Sequence, residues 1–254
     1  MRKNLVKEKI QQGKVVLGPI MGFNAPILAE IFAFAGFDFV VFDAEHGPLS
    51  VETCENLVRT AEAAGIAPII RCNLNIPQDV LRYVDTGAVG IHIPQINTAE
   101  DARTAVRAVK FYPMGQRGLA GTRAHFYGLQ GPLSEQVRIA NEESMIIAHI
   151  ENIQAVHNLP EILSVDGIDI YFLGTSDLSH SMGIPAQYDH PDLQAVVAKA
   201  MKEITGAGKR VGNIARNGDE VKKYVDMGSS YIIVGAAGLI MNGARQFLQK
   251  AREV

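Results

Sequence analysis

The stretch FDFVVFDAEHGPLSVETCENLVRTAEAAGIAPIIRCN, Phe37–Asn73, holds one complete strand–helix–strand unit. Its two apolar runs are continuous rather than alternating, as expected of strands buried on both faces. Between them a helical pattern runs over VETCENLVRTAEAA and stops at Gly65, a residue suited to a left-handed helix end. The first run also ends oddly. It delivers Asp43, Glu45 and His46 together and then breaks at Gly47-Pro48. A buried strand has no structural need for three titratable groups at its exit.

Outward from this unit the same pattern recurs. Strand-like runs fall at 15–22, 37–44, 66–73, 88–95, 145–151, 167–175, 210–215 and 230–238, each followed by a helical pattern, and helices stop at Gly36, Gly65, Gly87, Gly208 and Gly228. Eight βα units in 254 residues predict a single (β/α)8 TIM barrel spanning 1–254, with an open doubly wound sheet as the alternative. After strand five the pattern AVHNLPEILSV predicts one helix. The longest irregular piece is 112–131, and loops of that length are usually functional.

Composition narrows the function classes. The chain is 47% hydrophobic and 20% charged, with a net charge of −3. No basic run points to nucleic acid, and no apolar stretch is long enough to span a bilayer. The start, MRKNLVKEKIQQGK, lacks the apolar run of a signal peptide. Two cysteines, Cys54 and Cys72, make neither a disulfide framework nor a metal motif, so a reducing cytoplasm is expected.

In a barrel of this kind, chemistry gathers where strands end. Strand two supplies Asp43, Glu45 and His46, strand three Arg71, strand four His92 and Gln95, strand five His149 and Glu151, and strand six Ser176, Asp177 and Ser179. Glu151 and Asp177, on neighbouring strands, suit a hard divalent cation, or else each caps the helix that follows. Arg71 suits a carboxylate or enolate oxygen, or a salt bridge to a mouth carboxylate. His46 is a candidate general base that Asp43 or Glu45 would orient. His92, inside an apolar run, reads as buried structure, and His125, His157, His180 and His190 receive no role. No lysine ends a strand, which argues against a Schiff base. No Gly-x-Gly-x-x-Gly or Walker loop is present, and GAAG at 235–238 reads as a close helix–strand contact rather than an anion site.

Taken together, FDFVVFDAEHGP, PIIRCN, AVGIHIPQINTAEDA, YPMGQRG, IIAHIE and IYFLGTSDLSHSMG resemble the HpcH/HpaI family of class II, metal-dependent pyruvate aldolases, in order from about Gly13 to the final helix. The resemblance implies reversible retro-aldol cleavage of a 4-hydroxy-2-oxo acid to pyruvate and an aldehyde, through an enolate held at a divalent metal (Mg²⁺, Mn²⁺ or Co²⁺). It implies His46 as base, Arg71 as the enolate-stabilising group, and Glu151 and Asp177 as metal ligands. It further implies the backbone around Ser176 as the seat of the pyruvate carboxylate, and Asp85 as an acid that raises the basicity of the histidine. By its position in the chain, Asp85 falls near the bottom of its own barrel, which leaves a subunit contact or a structural role open. A homohexamer is also implied.

One departure stands out. His149 occupies the place where many of these aldolases carry a substrate-touching Gln. For the aldehyde partner, Arg117 and Arg123 in the 112–131 loop are the candidates to hold a distal carboxylate or hydroxyl. Two rival readings are a metal-enolate lyase acting on a coenzyme A thioester and a non-catalytic barrel that binds a small acid.

Overall fold

The computed structural model describes residues 1–253. Eight parallel strands, β1 (Val16–Met21), β2 (Phe39–Asp43), β3 (Ala67–Arg71), β4 (Gly90–Ile93), β5 (Met145–Ile150), β6 (Ile170–Leu173), β7 (Val211–Ile214) and β8 (Ser229–Gly235), close into a barrel in sequence order. Among the described residues the twelve α-helices are α1 (Leu5–Gln11), α2 (Pro26–Phe34), α3 (Val51–Ala64), α4 (Pro77–Val84), α5 (Ala99–Val109), α6 (Leu133–Glu143), α7 (Ile153–His157), α8 (Leu159–Leu163), α9 (Thr175–Ser181), α10 (Pro191–Gly206), α11 (Gly218–Asp226) and α12 (Ala236–Ala251). The expected TIM barrel is what forms.

Continuous apolar strands bury both faces, and the core accordingly divides in two. Phe39, Val41, Ile69, Ile147, Phe172 and Tyr231 fill the lumen, whereas Val40, Phe42, Ile70 and Ile146 face the helices. Gly18 makes room in the lumen, since a Cβ there would stand 2.4 Å from the Phe39 ring. The five helix-ending glycines all adopt positive φ, from 71° at Gly208 to 97° at Gly228, where an L side chain is strained.

Two features depart from the sequence reading. The single helix expected after strand five is split into α7 and α8. Pro160 lacks the N–H and crowds the carbonyl four residues back, so a new helix starts around it. The loop 112–131 leaves α5 and returns, through a 3₁₀ turn at Arg123–Gly128 and then α6, to the start of β5. It therefore lies at the amino-terminal end of the barrel, opposite the strand exits. A cavity of about 810 Å³ also lies at that end beside Lys110, Tyr112 and Asn141, so volume alone does not locate the chemistry.

Candidate active site at the strand exits

The parallel register sets Asp43 beside Arg71, and Arg71 beside His92. The two mouth side chains meet as a fork. Arg71 Nε donates to Asp43 Oδ1 at 2.7 Å and Nη2 to Oδ2 at 2.5 Å, with both side chains nearly buried. Burial opposes the Asp43 charge, but Arg71 outweighs it and lowers the Asp43 pKa. Asp43 Oδ1 also accepts from the amides of Glu45 and His46, fixing the turn that follows β2. Asp43 thus aims Arg71 rather than His46. The salt bridge anticipated as the alternative role for Arg71 forms, and it leaves Nη1 facing Glu45 Oε2 at 3.3 Å.

His46 stands at the rim with its side chain 61% exposed, Nε2 4.0 Å from Glu45 Oε2. Glu45 has no hydrogen-bond partner for that oxygen despite the nearby guanidinium, because the ion-pair distance is met without hydrogen-bond geometry. Burial, opposed by Arg71 and reinforced by Glu151, pushes the Glu45 carboxyl up to about 7.

Glu151 follows β5 and is 2% exposed. Oε1 accepts from the Gln95 amide at 2.9 Å and Oε2 from His149 Nδ1 at 2.9 Å. Gln95 reaches it in a left-handed backbone (φ 57°) uncommon for a residue with a Cβ. The sequence pointed to the Gln95 side chain, whereas the fold uses its amide. Burial works against the Glu151 charge, but His149, the Gln95 amide and Arg71 together lower its pKa. Gly174, at the end of β6, packs directly on this carboxylate, where a Cβ would fall 2.8 Å from its Oε2. Ser176 and Asp177 occupy the first turn of α9, immediately beyond Gly174. Ser176 is exposed and its hydroxyl meets Tyr188 at 3.2 Å.

Carboxylate oxygens of the kind that Glu151 and Asp177 carry suit a hard divalent cation by their chemistry. Among the described residues no cluster of three or more His, Cys, Asp and Glu side chains is arranged for a metal. Two carboxylates with water and substrate oxygens completing the shell is how Mg²⁺ and Mn²⁺ are commonly held. Each Glu151 oxygen spends one lone pair on a donor and keeps another.

Four expected site residues have other partners. His149 is buried, with Nδ1 committed to Glu151 and Nε2 2.8 Å from His92 Nδ1, so neither ring nitrogen is open to substrate. Asp85 ends α4 at the amino-terminal end of the barrel and pairs with buried Arg117. Arg123 pairs with Glu62 at the same end. Asp85, Arg117 and Arg123 therefore lie away from the mouth of their own chain. His92 is buried as expected, but polar-bonded on both nitrogens. Its partner Tyr231 carried no signal in the sequence, because a tyrosine in an apolar strand reads as core.

The HpcH/HpaI aldolase/citrate lyase family model matches residues 21–242. The chain belongs to this family of lyases. A 4-hydroxy-2-oxo-heptane-1,7-dioate aldolase from Klebsiella pneumoniae is 33% identical over 95% of this chain and 91% of its own. Among solved structures, the citrate synthase SbnG superposes with a TM-score of 0.88 at 31% identity, covering 97% of each chain. An HpcH/HpaI aldolase from Desulfitobacterium hafniense gives 0.92 at 28%, covering all of this chain and 98% of that one.

Proposed function

We propose that this lyase is a class II pyruvate aldolase, cleaving a 4-hydroxy-2-oxo acid to pyruvate and an aldehyde and running in reverse for synthesis. The observation that carries the reading is a fixed guanidinium, Arg71 in the grip of Asp43, beside a buried and still ionised Glu151, with an exposed imidazole at the same strand exits. In the forward direction His46 takes the proton of the C4 hydroxyl. The C3–C4 bond then breaks, its electron pair forms the enolate, and the aldehyde departs. Arg71, through Nη1, holds the negative C2 oxygen, and protonation at C3 gives pyruvate. The amides around Ser176 seat the carboxylate. Glu151 and Asp177 would hold a divalent cation, whose Lewis acidity is worth several kcal/mol toward enolate charge.

Asp85 enters a mouth only from a second subunit, so its assignment goes with a homo-oligomer, a hexamer as the family resemblance implies. The free, buried Cys54 and Cys72 fit a reducing cytoplasm. Likeness to a citrate synthase favours a second reading, in which the same enolate chemistry serves a coenzyme A thioester.

The test is C3 proton exchange on pyruvate followed by NMR, with a screen of aldehydes. Chelation with EDTA is expected to abolish exchange, and Mg²⁺, Mn²⁺ or Co²⁺ to restore it. Full exchange in chelated enzyme, or borohydride trapping of substrate on the protein, refutes the proposal. Exchange and condensation that appear only with a coenzyme A thioester select the second reading.

A further inference from the structure

A polar chain crosses the barrel lumen from β8 to β4 and β5. The Tyr231 hydroxyl lies 2.8 Å from His92 Nε2, His92 Nδ1 lies 2.8 Å from His149 Nε2, and His149 Nδ1 lies 2.9 Å from Glu151 Oε2. Tyr231 and His92 are both fully buried and out of reach of substrate. Phe39 stacks on Tyr231 at 4.4 Å and Phe172 packs edge-on to His92 at 5.3 Å, so apolar rings wall the chain in.

Donor and acceptor counting fixes its protons. The Glu151 carboxylate accepts only, so His149 Nδ1 carries a hydrogen. If His149 Nε2 is bare, it accepts from His92 Nδ1, and His92 Nε2 then accepts from the tyrosine hydroxyl. Every donor has an acceptor. Were His149 Nε2 to carry a hydrogen as well, the ring would be a buried imidazolium, His92 would have to accept at Nδ1 and carry its hydrogen on Nε2, and the Tyr231 hydroxyl would become the acceptor. Its own proton would be buried with no second acceptor recorded among the described residues. Leaving a buried donor unpaired forfeits its hydrogen bond to water with nothing in return, which selects the first arrangement.

We propose that Tyr231 and His92 are positioning residues that lock His149 as its Nδ1–H tautomer and thereby hold the Glu151 carboxylate for a divalent cation. The inference rests on Glu151 as a ligand. Partners one bond behind a ligand orient it and are worth about 10–100-fold in metal affinity. The arrangement is tied to His149, since a Gln there could not present two ring nitrogens in line.

The experiment uses the purified full-length protein, metal-free, with ¹⁵N-histidine labelling and Mn²⁺ as the probe. Two-bond ¹H–¹⁵N correlations are expected to show Nδ1–H for both His92 and His149. Tyr231→Phe keeps the stacked ring and removes only the donor. It is expected to mix the His92 tautomers and weaken Mn²⁺ binding, read from the free-ion EPR signal, by about 10-fold. His92→Leu breaks both bonds and is expected to weaken it at least as much. Glu151→Gln is the control. If it leaves Mn²⁺ affinity unchanged, the ligand assignment fails and this proposal with it. If Glu151→Gln loses binding while folded Tyr231→Phe keeps wild-type affinity and tautomers, the positioning role alone is wrong. Nε2–H on either histidine in the unmutated protein also overturns it, whatever the variants do.

Discussion

At the scale of single residues, the mouth separates holding charge from moving protons. Arg71 is gripped on two of its nitrogens by Asp43, so its planar fork has a geometric task that an ammonium cannot reproduce. Arg71→Lys is expected to depress both aldol cleavage and oxaloacetate decarboxylation by a similar large factor, since both need a stabilised enolate. The His46 side chain is exposed, its Nε2 4.0 Å from Glu45 Oε2. His46→Ala is expected to lose about 10²–10⁴-fold in cleavage but to keep most decarboxylation, which needs no hydroxyl deprotonated. Equal loss of decarboxylation in both variants, with metal still bound, refutes the division of labour. Glu45 gives a test by pH. Its carboxyl is raised from 4.5 to about 7, mainly by burial, so between those values the folded state holds more proton than the unfolded one. This group's contribution to stability therefore grows as pH falls from 7 to 4.5. Glu45→Gln is expected to be more stable than the parent at pH 8 without metal, with the advantage fading by pH 5. Urea midpoints across that range check it, and a pH-independent difference refutes it. The acids, the arginine and the histidine at strand exits were legible in the sequence because an apolar run that ends in charge is conspicuous. Their pairing was not, because register across strands decides it. The sequence offers Asp43 or Glu45 as a partner for His46, and the lateral match with Arg71 claims Asp43 instead.

At the scale of elements, the helix-terminating glycines and the eight strands were legible because each has a local cause. The break between α7 and α8 has a local cause as well, Pro160, which the apolar pattern of AVHNLPEILSV masks. The loop 112–131 shows what topology adds. Any segment that follows a helix and precedes a strand returns to the strand's start, so its arginines face the far end of their own barrel. Gly174, where β6 gives way to α9, offers the sharpest test here. Gly174→Ala places a methyl 2.8 Å from both Cβ and Oε2 of Glu151, which is held by two hydrogen bonds and has little room to yield. Such overpacking typically costs about 1–3 kcal/mol, and Mn²⁺ affinity is expected to fall with it. Gly218→Ala, at the start of α11 with open space around its Cα, serves as the control and is expected to be neutral or slightly stabilising. Denaturation midpoints and Mn²⁺ titration of the two variants decide the matter. A Gly174→Ala protein indistinguishable from the parent means that the carboxylate moves more freely than its bonds suggest.

At the scale of the whole molecule, the barrel leaves apolar surface uncovered. Of the sixteen residues of α12 only Ala236 is buried, while Phe247 is 72% exposed and Ile240, Met241 and Leu248 are nearly half exposed. On α2, Phe34 is 83% exposed, with Ile27 and Ile31 beside it. Monomers rarely expose this much large apolar surface. The protein is therefore expected to run as a multiple of its 27.5 kDa chain mass in light scattering at micromolar concentration. A monomer there would refute the oligomer and would remove Asp85 from any active site. That the barrel would leave α12 bare is not legible in the sequence, since packing partners are set by the chain's path in space.

The line of rings across the lumen also acts as a clock. The imidazole hydrogen shared by His92 and His149 is buried inside the closed barrel, and its exposure is expected to need the strands themselves to part. In heavy water that one proton should outlast the amides of the rim and the helices. Its lifetime then reports how often the whole cylinder breathes open, a rate that no measurement at the mouth can read.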